Sequence, residues 1–98
     1  MERKKESYAL SKIKILEEKL ASNFSVFPVP TSDKLFAQVI GLDIVEYTIT
    51  DMQGRVIASS ASIQLPVLEL STSTFKSGMY LLKVGTSFGT VQREFIVE

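Results

Sequence analysis

The sequence predicts a mainly β protein, an antiparallel β-sandwich of about seven short strands led into by an N-terminal amphipathic α-helix. Three observations carry the prediction. The first twenty or so residues contain no Gly or Pro and repeat their apolar side chains at helical spacing. From Phe24 onward the apolar period falls from about 3.6 residues to about two. Turn signals then recur about every eight to twelve residues.

The helical stretch is "ERKKESYALSKIKILEEKLA", residues 2–21, rich in strong helix formers. Ala9, Ile13, Leu16 and Leu20 follow at steps of four, three and four and so share one stripe. The repeat is heptad-like but short. Glu2 and Glu6 fall on the same stripe upstream, and Leu10 and Ile15 lie off it. An isolated helix of this length is marginal in water. It is therefore expected to pair with a second copy of itself or to pack on the following domain, the alternative being a frayed tail or the stump of a longer coiled coil. The domain division is residues 1–22 as helix and linker, and residues 23–98 as the β domain.

"FSVF", from Phe24, reads as a short strand closed by "PVPTSD", where two prolines and Thr-Ser-Asp favour a rigid turn. "KLFAQVI" sets Leu35, Ala37 and Val39 against Phe36, Gln38 and Ile40. "IVEYTIT" places Val45, Tyr47 and Ile49 on one face and Glu46, Thr48 and Thr50 on the other, as in a half-buried strand. In "DMQG", Asp51 suits the first position of a type I turn and Gly54 the left-handed position of a bulged hairpin loop. "RVIAS" returns. Ile63, Leu65, Val67, Leu68 and Leu70 supply one or two strands, with Pro66 at an edge or bend. "MYLLKV" and "TVQREFIV" form a closing hairpin across "GTSFG", with Phe88 exposed at its tip. The apolar pattern persists to the last residue, where polar, frayed sequence is usual.

Formal charge is zero, with 11 basic and 11 acidic side chains, so no net field draws nucleic acid or an anionic membrane. The chain has no Cys and no His, which excludes disulfides and thiolate metal sites and removes the commonest general base. No apolar run approaches the ~20 residues that cross a bilayer. "MERKKESYAL" is basic like the start of a signal peptide, but no apolar stretch follows it. The expectation is either a cytoplasmic chain or a segment of a longer exported protein. Serine nucleophiles without His need a Lys or an N-terminal amine, and Lys34, Lys76 and Lys83 fall near turns or on strand faces. Asp33, Asp43, Glu46, Asp51 and Glu69 are scattered singly, with no calcium-loop spacing. Gly85 and Gly89 flank a hairpin rather than a phosphate-binding strand-to-helix turn. These patterns argue against an enzyme and call for no cofactor, metal or small-molecule substrate.

"FSVFPVPTSDKL", "YTITDMQGRVI" and "LSTSTFKSGMYLLKVGTSFGTVQREFIVE", in that order and spacing, resemble the C-terminal sorting domain (type A) of the type IX (Por) secretion system of Bacteroidetes, over about residues 23–98. In the first motif Phe27, Pro28 and Pro30 match, with Val29 where the family usually has Asn. Gly54 and Arg55 match the second motif. Gly78 and Tyr80 match the Gly-x-Tyr element of the third, Val84 the strand after it, and Arg93 a position that is commonly Lys. Phe95 and Val97 complete the terminal strand. The resemblance implies a seven-stranded Ig-like sandwich at the end of a larger exported cargo. It also implies recognition by an outer-membrane translocon or shuttle, and removal by a sortase-like cysteine peptidase at the cell surface. The processing linker would then be Ala21, Ser22 and Asn23. The cargo would pass through the periplasm to the cell surface or the medium.

On this reading a rigid terminal strand is the address itself, and Arg55 and Arg93 are the expected recognition contacts. Removing "FIVE" is expected to abolish export while leaving much of the fold. Two alternatives stay open: an Ig-like surface module that binds glycan or protein ligands, and a homo-oligomer held by the N-terminal helix.

Overall fold

A computed structural model describes residues 20–98. The expected amphipathic helix, and any coiled-coil pairing through it, therefore lies outside the described residues, apart from residues 20–22, which are helical. Seven strands follow: β1 (Phe24–Phe27), β2 (Lys34–Val39), β3 (Glu46–Asp51), β4 (Val56–Ser60), β5 (Leu68–Ser71), β6 (Gly78–Thr86) and β7 (Gly89–Val97). They form two antiparallel sheets, one ordered β1-β2-β5 and the other β4-β3-β6-β7.

Alternation decides which side of each strand is buried. Leu35, Ala37 and Val39 of β2 turn inward with Phe24 of β1 and with Leu68 and Leu70 of β5. From the other sheet come Ile49, Tyr80, Leu82, Val84, Val91, Phe95 and Val97, and all of these join a single buried cluster. Burying apolar side chains contributes roughly 1.5–3 kcal/mol for each large one, so this shared layer is what holds the two sheets together. Leu20 belongs to the same cluster, although it precedes the first strand.

Ile44 breaks the alternation expected of "IVEYTIT". It is fully buried although Val45, out of phase with it, is half-buried. The cause is a crossing between sheets: Ile44 exchanges backbone hydrogen bonds with Leu65 at 2.8 and 3.1 Å, and β3 begins only at Glu46. The irregular middle of the sequence resolves into one strand, β5. Ile63 and Leu65 hydrogen-bond to Val45 and Ile44 outside any named strand, and Pro66 sits in the bend before Leu68. The final hairpin is tighter than "GTSFG" suggests. Thr86 pairs with Gly89, leaving a two-residue turn in which Phe88 is exposed.

Strand register defines two opposite poles. At one, β1 ends and β2 starts, β3 ends at Asp51 opposite Tyr80, and β7 ends with Val97 opposite Gly78. At the other, Phe24 pairs with Val39, Tyr47 with Ser60, and Thr86 with Gly89, and residues 20–23 enter there. The nine residues of β6 put the poles about 26–30 Å apart at ~3.3 Å per residue.

A candidate recognition pole

The β3–β4 turn is built around one carboxylate. Asp51 Oδ1 accepts the backbone N–H groups of Gln53 and Arg55, each at 2.9 Å, and Oδ2 accepts Arg55 Nε at 2.7 Å. Gly54, at φ +83°, takes the left-handed conformation that the loop needs and that a side chain would resist. Burial pushes the Asp51 carboxyl upward, but the backbone and side-chain donors of Arg55 and the Gln53 N–H outweigh it. The net shift is below the ordinary carboxylate value. Arg55 is thereby aimed rather than free: its side chain is 75% exposed while that of Asp51 is 11% exposed.

Beside this turn, Tyr80 anchors the start of β6. Its ring lies 5.3 Å from that of Phe75 and 5.7 Å from that of Phe95, and its hydroxyl donates to the Lys76 carbonyl at 2.7 Å. A tyrosine at this corner, bonded to backbone four residues upstream, fixes the connection between β5 and β6. Gly78 sits two residues earlier at φ +149°. An added Cβ there would meet nothing within 4 Å, so backbone conformation rather than space calls for glycine.

The third component is Thr31, directly after the two prolines. It is completely buried. Its N–H donates to the Ile96 carbonyl at 2.8 Å, and its own carbonyl accepts Glu98 N–H at 2.9 Å. Its hydroxyl donates to the Lys34 carbonyl and lies 3.4 Å from Thr72 Oγ1. Thr72 N–H in turn donates to the Asp33 carbonyl at 2.8 Å. One residue thus clasps the proline loop, the β5–β6 loop and the end of β7. Pro28, Val29 and Pro30 are exposed on the outer side of this clasp, and Phe27 stacks on Phe36 at 5.7 Å.

An open groove runs between the β3–β4 turn and the β5–β6 loop, with Met52, Arg55, Val56, Lys76 and Met79 among its lining. Its apolar side chains are unusually exposed, Met52 at 57% and Val56 at 62%. Of the residues singled out from sequence, Pro28, Pro30, Gly54, Arg55, Gly78, Tyr80, Phe95 and Val97 all gather at this pole or immediately beneath it.

Val84 and Arg93 do not. Val84 is core, paired with Tyr47 and Val91. Arg93 shares the inward phase of Val91 and Phe95, and its guanidinium lies 5.4 Å above the Phe24 ring and 3.4 Å from the Ala21 carbonyl. Ala21, Ser22 and Asn23 lie at the opposite pole, where Asn23 accepts the Ile40 N–H at 3.0 Å. Sequence reasoning missed Thr31 and Thr72, which carry no signal beyond lying in turns. It placed Lys76 near a turn but not as the carbonyl that accepts the Tyr80 hydroxyl. Among the described residues no group of three His, Cys, Asp or Glu could hold a metal.

Self-locked turns, the oriented Arg55 and exposed apolar side chains thus share one pole of the domain. The profile of the secretion system C-terminal sorting domain matches residues 25–98. The chain belongs to that family, and its β domain is a sorting signal of the type IX secretion system. It engages that system's machinery and leads to export to the cell surface or the medium. A search of curated proteins finds no match to this chain. The match lends nothing to a glycan- or protein-adhesion role.

Proposed function

We propose that the motif pole is the face bound by an outer-membrane translocon, or by a shuttle serving it, while the opposite pole carries the cargo. The supporting observation is convergence. Segments around residues 27–31, 51–55 and 78–80, distant in sequence, are brought to one end of the fold by strand register. Arg55, ion-paired to Asp51, and Lys76 are the cations lining the groove on that face, and Met52, Val56 and Met79 supply apolar area. Desolvated anchors of this mixed kind carry most of the energy at protein interfaces. A signal folded beforehand also binds without the entropic cost of ordering a floppy tail.

On this reading residues 1–22 join the cargo to the sorting domain of residues 23–98. The cargo passes through the periplasm, and a sortase-like cysteine peptidase at the surface cuts near Ala21, Ser22 and Asn23. The fold is an Ig-like sandwich. The 1-2-5 and 4-3-6-7 strand orders, with three crossings between sheets, and the tyrosine at the β5–β6 corner favour that class. Whether copies associate through residues 1–22 is tested by light scattering with and without residues 1–21, and an unchanged mass would exclude it.

The function is tested by fusing residues 20–98 to a periplasm-exported reporter in a bacterium that has this secretion system. The parent tail and a Lys83→Gln control, on the opposite half of β6, are expected to deliver the reporter outside. The double variant Arg55→Gln/Lys76→Gln is expected to leave most of it in the periplasm while remaining folded. Retention of the parent fusion would defeat the sorting reading. Equal export of all three would defeat only the assignment of the pole.

A further inference from the structure

The junction between cargo and sorting domain is fastened at both ends. Leu20 is 6% exposed and Phe24 2% exposed, so two buried anchors stand four residues apart. Leu20 Cδ1 lies where a side chain on Gly89 would come within 3.3 Å, so the glycine leaves room for it. Arg93 draws the segment together, with its guanidinium over the Phe24 ring at 5.4 Å and an N–H directed at the Ala21 carbonyl at 3.4 Å. Asn23 is tied to Ile40 at 3.0 Å.

We propose that this clamp closes the junction to proteolysis, so that cutting between Leu20 and Phe24 is gated by its local opening. An endopeptidase binds its substrate as an extended strand. The three residues between the anchors reach at most about 10 Å even when fully stretched, less than a strand of six or so residues in a protease cleft requires. Residues 20–22 are also helical and must unwind before they can enter one. Cleavage therefore waits for Leu20 or Phe24 to leave the core, and its rate follows the open population when reclosing is fast. Arg93 is a latch on that opening, holding the bond-bearing segment while its own strand stays paired to β6. The identity of the cutting enzyme rests on the sorting-signal reading; the protection itself does not.

Asn23 is the sole asparagine of the chain, so an asparagine-specific endopeptidase can report on this junction alone. The full chain and a synthetic peptide of residues 17–30 are digested in parallel, with mass spectrometry of products and hydrogen exchange of β6 measured alongside. The folded chain is expected to be cut on the order of a hundredfold more slowly than the peptide, since a buried Leu or Phe anchor must be released. Arg93→Gln is expected to speed cutting by roughly three- to tenfold, the scale of a lost cation–π contact and hydrogen bond. Leu20→Ala should speed it by about tenfold or more. Should Leu20→Ala fail to fold, Arg93→Gln decides alone. Cutting of the native chain within a few-fold of the peptide, or at an unchanged rate in Arg93→Gln, overturns the clamp. So does acceleration that only tracks loss of β6 protection. Export of a reporter fusion is read separately, so loss of the clamp and loss of sorting are distinguishable.

Discussion

Replacing Thr31 by Val removes one hydroxyl from the point where three segments meet. The side chain is completely buried, its hydroxyl donates to the Lys34 carbonyl, and Thr72 Oγ1 lies 3.4 Å away. The bond is partly buried, and leaving the carbonyl without its donor costs about 1–3 kcal/mol. The added methyl returns up to about 0.8 kcal/mol of burial. The net loss is therefore between about 0.2 and 2 kcal/mol, which for a domain of this size lowers Tm by up to roughly 15 °C. The two backbone bonds, from Thr31 N–H to Ile96 and from Glu98 N–H to Thr31, do not depend on the side chain and should survive. Urea titration gives the first quantity and hydrogen exchange at Glu98 the second. Thr31→Ser keeps the hydroxyl and should cost less than the Val substitution. A Val variant at least as stable as the parent, or a Ser variant less stable than the Val one, would refute the clasp.

Tyr80→Phe keeps both ring contacts but frees the Lys76 carbonyl, and should lose about 1 kcal/mol in urea titration. Gly78→Ala meets no atom but must hold φ +149°, so a loss of about 1–3 kcal/mol is expected from backbone strain alone. The Asp51 carboxyl is depressed in the folded state, so the stability it contributes is present above its unfolded pKa and disappears as pH falls through the folded one. Urea midpoints of the parent should therefore drop between pH 7 and strongly acidic pH by more than those of Asp51→Asn.

Phase made the strands legible. Leu35, Ala37 and Val39 or Tyr80, Leu82 and Val84 leave little choice of inward face, because a one-residue slip would expose the whole set. The Asp51 turn was legible for the same local reason, since its bonds reach no further than Arg55. What local pattern cannot carry is which strands become neighbours. The meeting of Phe27, Arg55 and Tyr80 at one end, and the role of Thr31 in closing it, depend on pairings across dozens of residues. Arg93 shows the reverse case. A cation in a β-strand suggests a surface contact, yet its phase matches Val91 and Phe95, and the structure lays its guanidinium over Phe24 at the open side of the core. The terminal "FIVE" contributes to the core as well as to the chain end. Phe95 and Val97 are buried, and losing them removes several kcal/mol from a domain whose whole stability is of that order. A truncation lacking them would test folding rather than recognition.

The direction of β1 has a mechanical consequence. It runs from the end where residues 20–23 enter toward the motif-bearing one and is held to β2 through four residue pairs, Phe24–Val39 to Phe27–Phe36. When a receptor grips the far end and the cargo drags behind, the load runs along β1. Its ladder bonds with β2 must then slide together instead of unzipping one at a time. On the proposed function, a four-residue strand would then set how hard the secretion machine can pull before the handle comes away.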